Sequence, residues 1–324
     1  MSVALSTLGG TISMAGPTAG RLTGAELTAA VPGLAELGQP VEVQDIEAVP
    51  SANLTLAKLL DVVDAASKAI SNGATGIVVV QGSDTLEEAA FVVDQVWPHS
   101  NPFVLTGAMR NPTLAGSDGP ANLLAAARVA CSPAARDLGA LVVFNDQIHA
   151  ARWVRKTHST STATFASPNT GPIGHLVEDQ VRILTRPARQ DGVQGRAEPA
   201  DLDANKVALY TVTLDDDGQL LDGLADKYQG LVVAGYGVGH VPSALAPVLG
   251  ELAQRIPVVL TSRTGAGSVL RNTYSSVGSE SDLLKRGLID GGFLDPYKAR
   301  VLLRLLLATG EGPDEITAAF AQHH

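Results

Sequence analysis

The chain has 324 residues, more than one ordinary core accommodates, so we expect two domains. Its hydrophobic content of 45% and charged content of 17% are typical of a well-packed globular protein and exclude a disordered one. Lys and Arg total 23 against 33 Asp and Glu, and the net charge of -10 would repel a phosphate backbone, which argues against nucleic acid as a partner.

Short apolar runs rich in β-branched residues alternate along the chain with longer Ala- and Leu-rich segments. The short runs predict strands at VALST (from residue 3), VEVQDI (41), GIVVV (76), FVLTG (103), GALVVF (139), KVALYTV (206), GLVVAG (230) and PVVLTS (257). Apolar positions three and four residues apart predict helices over 54–73, 85–97, 120–130, 243–255 and 295–309. This alternation is typical of βαβ units and indicates an α/β fold built on parallel sheets.

Hydrophobicity drops between residues 186 and 206, where Pro, Gly and charged residues accumulate as in a linker. We therefore expect an N-terminal α/β domain over 1–185, a linker over 186–206 and a C-terminal α/β domain over 207–324. No apolar run approaches the ~18 residues of a membrane span. Because Cys131 is the single cysteine and no signal-like segment precedes the first strand, we expect a cytoplasmic protein with no disulfide and no membrane partner.

Ligands of open parallel sheets bind beyond the carboxyl ends of the strands, so the segments that directly follow strands are the candidate site segments. Five of them carry hydroxyls, carboxylates, amides or a lysine: LGGTIS (8–13), QGSDTLEE (81–88), TGAMRNPTLAGSDGPANL (106–123), NDQIHAARWVRKTH (145–158) and AGYGVGH (234–240). In the first, Gly9 and Gly10 stand directly before the hydroxyl of Thr11. Two residues without a Cβ let the backbone approach a ligand closely, or they form an ordinary tight turn.

Two of these segments have a structural as well as a functional interpretation. Ser83, Asp84 and Thr85 are good N-caps for the following helix, while unpaired amides at the same helix start would receive a substrate carboxylate. Lys156 is either a solvated surface charge or, if it is buried beside Ser83 and Asp84, a group that moves a proton. The sequence alone leaves both alternatives open.

Other catalytic and cofactor patterns are incomplete or missing. The glycines at 235, 237 and 239 follow a predicted strand but do not give the G-x-G-x-x-G spacing of a dinucleotide loop. The G-x-S-x-G and HExxH motifs are absent from the sequence. His149 and His158 lie nine residues apart and are expected to be structural or surface residues rather than metal ligands.

Six collinear segments resemble the signature segments of the bacterial L-asparaginase family of the threonine-nucleophile type: LGGTIS, QGSDTLEE, TGAMR, SDGPANL, VFND followed by VRKTHSTSTATF, and KARVLL. One such match is weak, but six in order beside the predicted strands are hard to obtain by chance. The resemblance covers nearly the whole chain. It implies a larger N-terminal flavodoxin-like domain, a smaller C-terminal Rossmann-like domain and a homotetramer built from two intimate dimers.

The resemblance also assigns roles to individual residues. Thr11 matches the nucleophile, Asp84 the carboxylate that pairs with the substrate's α-ammonium group, and Ser51 the hydroxyl that receives its α-carboxylate. Ser83 and Lys156 match the second hydroxyl and the lysine that, with Asp84, relay a proton. The implied substrate contacts are completed by Gly10, Asn53, Gly82, Ala108 and Tyr274.

The implied reaction is hydrolysis of the side-chain amide of L-asparagine through an acyl-enzyme on Thr11, with weaker turnover of glutamine and with no metal or other cofactor. Two other classes stay open: a relative that binds an amino acid without catalysis, and an amidotransferase subunit that delivers ammonia. Such subunits carry an additional N-terminal domain, and a strand two positions from residue 1 argues against one here.

The chain departs from the family pattern at several positions. Three substitutions are mild: Leu8 for threonine, Gln81 for histidine and Ser83 for threonine. The family's lid tyrosine has no counterpart, since the predicted lid over 14–24 contains none and Tyr210 is the first tyrosine of the chain. Tyr274, near the position of an acidic residue from the adjoining subunit, is either the partner of Thr11 or a plain loop aromatic. Val238 replaces an asparagine that contacts the substrate amine in some members.

Overall fold

The computed structural model describes residues 2–13, 23–46 and 49–324, and the chain divides into two compact units, Met1–Gly192 and Val193–His324. The predicted lid therefore lies outside the described residues, apart from Thr23 and Gly24. In the described part of the chain, no helix has the length and apolar character needed to cross a membrane.

The first unit contains a mixed sheet that, over the described residues, has eight strands in the order β10-β9-β6-β5-β4-β3-β1-β2. Its strands are β1 (Ser2–Thr7), β2 (Val41–Asp45), β3 (Ala74–Val80), β4 (Phe103–Thr106), β5 (Ala140–Phe144), β6 (Gln147–Ala150), β9 (Gly174–Val177) and β10 (Gln180–Ile183). A separate two-stranded ribbon pairs β7 (Arg155–Lys156) with β8 (Phe165–Ala166). The helices of this unit are α1 (Gly24–Ala29), α2 (Leu56–Ser71), α3 (Leu86–Val96) and α4 (Gly119–Cys131).

The five neighbouring strands β2, β1, β3, β4 and β5 run parallel, which confirms the predicted α/β class. Strands β3 and β4 consist almost entirely of buried residues, most of them apolar, as expected where helices cover both faces of a parallel sheet. Helix α4 packs over these strands, and its Leu123 and Ala127 share one core with Val78 and Val104.

Strand register brings three of the candidate site segments to one edge of this sheet. Thr7 at the end of β1 pairs with Val80 at the end of β3, and Val80 pairs with Thr106 at the end of β4. The chain segments that begin at residues 8, 81 and 107 therefore leave the sheet side by side. This alignment places the predicted site at the carboxyl ends of the strands.

The sheet continues beyond β5 with antiparallel strands, β6, β9 and β10, which are not among the strands predicted from the sequence. Asn145 and Asp146 connect β5 to β6 with φ values of 51° and 57°, and Glu178 and Asp179 connect β9 to β10 with φ values of 48° and 67°. Two consecutive residues with positive φ form the tight turn that joins twisted antiparallel strands. These hairpins explain why the chain reverses here instead of crossing over through helices.

The second unit is a smaller α/β unit around a four-stranded parallel sheet, ordered β11-β12-β13-β14 within the described residues. Its strands are β11 (Val207–Thr211), β12 (Gly230–Gly235), β13 (Val258–Ser262) and β14 (Ile289–Asp290). Its helices are α5 (Pro199–Ala204), α6 (Leu245–Ala253), α7 (Glu280–Lys285), α8 (Pro296–Ala308) and α9 (Pro313–Ala321). Val233 and Leu260 of the sheet share a core with Leu249 of α6.

The segment over 186–206 is not a free tether at either end. Arg186 donates hydrogen bonds of 2.6 Å to the carbonyls of Ala134 and Arg136, and Arg189 donates to the carbonyl of His99 at 2.9 Å. Guanidinium groups donate in a fixed fork, so these bonds attach the start of the segment to the first unit. The end of the segment forms α5, which packs within the second unit on α8.

Candidate active site

The glycine pair after β1 shapes the backbone that carries Thr11. Gly9 and Gly10 have φ values of 88° and 95°, a region that residues with a side chain rarely adopt. Thr11 then begins a 3-10 turn over Thr11–Ser13. A Cβ on Gly10 would lie 2.4 Å from the nitrogen of Gly82. Gly10 is therefore required by its close contact with the backbone after β3.

We expect Gly10→Ala to destabilise the protein more than Gly73→Ala does. Gly73 has a similar φ of 101° but open space around its absent Cβ, so it reports the backbone strain alone. At position 10 the added methyl group would clash with backbone atoms, and no rotamer change relieves such a clash. The free energy of unfolding should fall by about 1–3 kcal/mol beyond the loss at Gly73. Urea unfolding of both variants checks this, and equal losses would contradict it.

Ser51 lies directly against Gly82. A Cβ on Gly82 would be 2.6 Å from Ser51 Oγ, and the hydroxyl of Thr85 donates to the carbonyl of Ser51 at 2.9 Å. Ser51 is buried and begins a 3-10 turn over Ser51–Asn53, in which Asn53 is exposed. Absence of a Cβ at Gly82 thus lets the Ser51 hydroxyl approach the backbone next to Ser83.

The side chain of Lys156 reaches the segment after β3. Its Nζ lies 3.0 Å from Ser83 Oγ and 3.0 Å from Asp84 Oδ1. The Lys156 side chain is only 16% exposed, so it is not a solvated surface charge, while Asp84 is 70% exposed. A protonated amine can donate to a hydroxyl and a carboxylate together, which links the three groups in one hydrogen-bonded set.

The capping interpretation of Ser83, Asp84 and Thr85 is wrong. Helix α3 begins at Leu86 with Thr85 at the N-cap position, but the Thr85 side chain makes no capping hydrogen bond there. Ser83 and Asp84 instead lie in a 3-10 turn and bond to Lys156.

The loop after β4 is held next to the turn that carries Thr11. Asp118 accepts hydrogen bonds from the N–H groups of Met109 and Arg110 at 2.9–3.1 Å, and Asn122 donates to the carbonyl of Gly107 at 3.0 Å. These bonds fix the backbone around buried Ala108. No role was predicted for Asp118 or Asn122 from the sequence. Their i, i+4 spacing at the start of α4 places the two side chains on one face of the helix, and this spacing could have indicated a shared role.

At Gly119, the loop after β4 and the turn after β1 pack against the start of α4. A Cβ on Gly119 would lie 2.7 Å from Ile12 Cγ1 and 3.4 Å from Ala108 Cβ. Ile12 directly follows Thr11, so Ala108 and the Thr11 turn pack on the same point of α4.

Tyr274 belongs to the second unit, where a buried carboxylate holds its backbone. Glu280 accepts hydrogen bonds from the N–H groups of Thr273 and Tyr274 and from His240, and the rings of His240 and Tyr274 meet edge to face at 4.8 Å. Burial acts to raise the pKa of Glu280, but these hydrogen bonds outweigh it and the pKa lies below its usual value. The Tyr274 side chain itself is half-exposed.

The AGYGVGH segment forms a tight turn rather than a dinucleotide loop. Tyr236 and His240 pair with each other across Gly237, Val238 and Gly239, and α6 begins only at Leu245. A dinucleotide loop requires a helix to open directly at the glycines. The segment therefore lacks the structural context of a dinucleotide-binding loop.

The predicted site residues thus fall into three groups. Contacts join Gly10, Ser51, Gly82, Ser83, Asp84 and Lys156 into one cluster. Thr11 and Ala108 adjoin this cluster through the backbone and through the packing on Gly119. Asn53 is an exposed neighbour of Ser51, and Tyr274 lies in the second unit.

Both units match a known family. Residues 2–189 match the model described as "Asparaginase, N-terminal", and residues 206–320 match the "Glutaminase/Asparaginase C-terminal domain". A probable L-asparaginase of Deinococcus radiodurans is 34% identical, covering 99% of this chain and 97% of that protein, and an L-asparaginase of Bacillus licheniformis is 34% identical over 95% of each. The crystal structure of a probable cytoplasmic L-asparaginase from Campylobacter jejuni is 31% identical, with a TM-score of 0.87 and 99% of each chain covered. The chain therefore belongs to the asparaginase family.

Proposed function

We propose that this protein hydrolyses the side-chain amide of L-asparagine to L-aspartate and ammonia. The observation that carries the proposal is the convergence of Lys156 on Ser83 and Asp84, residues more than 70 positions away in the chain, with Nζ 3.0 Å from an oxygen of each. Family membership supports it, because the matched relatives are L-asparaginases. A structural ion pair alone would not require the neighbouring hydroxyls of Ser51 and Ser83 or the glycine contact that brings them together.

The cluster offers complementary groups for a free α-amino acid. The exposed carboxylate of Asp84 suits an α-ammonium group, and the hydroxyl of Ser51 suits an α-carboxylate. A substrate held at both ends would direct its side-chain amide away from them, toward the turn of Thr11. In the proposal the main chains of Gly10, Gly82 and Ala108 face the substrate at this position, and Asn53 and Tyr274 complete the contacts.

Thr11 acts as the nucleophile in the proposed mechanism. Its Oγ attacks the amide carbon, the Thr11 proton passes to a base, and the C–N bond breaks as ammonia leaves with a proton. Water then attacks the resulting ester, which releases aspartate and restores the hydroxyl. Ser83, Asp84 and Lys156 move the proton, since the amine of Lys156 bridges a hydroxyl and a carboxylate. Main-chain amides support the oxyanion in both steps, and the chemistry uses no metal or cofactor.

Three further properties belong to the same proposal. We expect weaker turnover of L-glutamine, because one methylene changes binding by only ~1–3 kcal/mol. We expect a homotetramer, in which Tyr274 reaches a site of a neighbouring copy. We expect a cytoplasmic location, consistent with the single cysteine of the sequence.

Ammonia release from L-asparagine tests the proposal. We expect turnover of L-asparagine, slower turnover of L-glutamine, and little turnover of N-acetyl-L-asparagine, whose blocked amine cannot pair with Asp84. Binding of L-asparagine in a calorimeter without ammonia release would instead support the amino-acid-binding alternative. Equal turnover of the acetylated compound would contradict the proposed role of Asp84.

A further inference from the structure

Lys156 lies on a ribbon that is too small to hold itself in place. Strands β7 and β8 have two residues each and, within the described residues, form a sheet of their own, pairing Arg155 with Ala166 and Lys156 with Phe165. One more backbone bond closes the ribbon, from the N–H of Thr157 to the carbonyl of Thr164 at 2.8 Å. An isolated two-stranded ribbon is marginal in water, so contacts with the rest of the unit must fix the position of Lys156.

Glu87 provides one such contact. Its carboxylate accepts a hydrogen bond of 3.0 Å from the backbone N–H of Lys156, and its side chain is buried. Glu87 lies in the first turn of α3, four residues after Ser83. Two consecutive segments therefore hold Lys156: the 3-10 turn binds its amine through Ser83 and Asp84, and the first turn of α3 binds its backbone through Glu87.

His149 provides the second contact, at the end of the other ribbon strand, β8. It lies on β6, is fully buried, and its Nδ1 is 2.9 Å from the hydroxyl of Ser167, which directly follows β8. Burial, with the nearby His175, lowers the pKa of His149 to about 4. His149 is therefore neutral near pH 7, when one ring nitrogen donates and the other accepts.

We propose that Glu87 and His149 are positioning residues that hold the ribbon over 155–167 so that the amine of Lys156 meets Ser83 and Asp84. Each anchors one strand of the ribbon to a different rigid element, Glu87 to α3 and His149 to the eight-stranded sheet. Neither belongs to the cluster that is proposed to bind the substrate. This inference rests on the proposed function only where it predicts turnover, because the anchoring itself is a property of the fold.

Matched pairs of variants test the proposal at each anchor. Glu87→Gln keeps an acceptor oxygen for the N–H of Lys156, while Glu87→Met keeps the length of the side chain and removes the acceptor. His149→Asn keeps a polar atom near the position of Nδ1, while His149→Leu removes it. Ser167→Ala breaks the same contact from the other side with the loss of one hydroxyl, and stays informative if a buried leucine at 149 prevents folding.

The first readout is steady-state ammonia release from L-asparagine. Displacement of a catalytic group by about 1 Å costs on the order of 10²-fold in rate. We expect Glu87→Met, His149→Leu and Ser167→Ala to lower kcat by roughly 10- to 100-fold, with smaller changes in KM, and Glu87→Gln and His149→Asn to stay within about threefold of the parent. A merely structural role would lower the unfolding midpoint of all variants without separating the members of each pair.

The second readout is hydrogen–deuterium exchange of peptides within 155–167, which needs no turnover. We expect faster exchange there in Glu87→Met, His149→Leu and Ser167→Ala, with peptides from β11 and β12 unchanged as internal controls. Unchanged exchange and unchanged kcat in these variants would overturn the proposal. If the parent protein releases no ammonia, the proposed function fails, and the exchange data alone decide whether the two anchors hold the ribbon.

Discussion

Thr11→Ala should reduce ammonia release from L-asparagine by about 10⁴-fold or more, because the proposed reaction passes through an ester on this hydroxyl. Thr11→Ser, which keeps a hydroxyl, should retain measurable turnover. Thr11 follows two glycines with positive φ, the second of which packs against the backbone after β3, so its position is set by the main chain and not by its own side chain. We therefore expect the variants to fold normally and to lose chemistry alone.

Thr317→Ala is a suitable control, since this threonine is exposed on α9 of the second unit and its hydroxyl donates to a helix carbonyl. It should leave turnover unchanged. Acid quenching of the parent during turnover should place an aspartyl adduct on the peptide that contains Thr11. Turnover by Thr11→Ala above roughly 1% of the parent would assign the nucleophile to another residue.

The parallel part of the first unit could be predicted because its strands are continuous apolar runs. Strand β3 ends in four consecutive β-branched residues, and a buried strand of a parallel sheet needs no polar face. Strands β6 and β10 alternate polar and apolar residues and β9 does not, but four positions are the shortest run in which alternation indicates a strand. The dipeptides at 145–146 and 178–179 form the turns of these hairpins. They contain no apolar residue, so a search for apolar runs does not find them.

The candidate site could be predicted as a set of segments but not as a set of contacts. Parallel topology alone places the segments after β1, β3 and β4 at one edge. The environment of Lys156 could not be inferred, because Arg152 and Arg155 beside it give the same basic pattern as a solvated surface. Glu87 and His149 were equally hidden, since a glutamate in a first helical turn and a histidine in a strand have local explanations that conceal their contacts with the ribbon.

Lys156→Met should lower kcat for L-asparagine by about 10²- to 10⁴-fold, the range expected for the loss of a group that transfers protons. Methionine matches the length of the lysine stem, so the packing of the ribbon is kept while the amine is removed. Part of any loss could come from the broken ion pair with Asp84. An ion pair with one exposed partner contributes only ~0–1 kcal/mol to stability, which is too little to unfold the protein.

Arg128→Met separates these two effects within the same unit. Arg128 pairs with Asp179, and the two side chains are 20% and 72% exposed, against 16% and 70% for Lys156 and Asp84. Both variants thus remove one cation from an ion pair of nearly equal exposure, and their unfolding midpoints should differ little from each other. Only Lys156→Met should lose turnover. A comparable loss in both variants would attribute the effect of Lys156 to general electrostatics or stability, and full turnover by Lys156→Met would remove this lysine from the proposed mechanism.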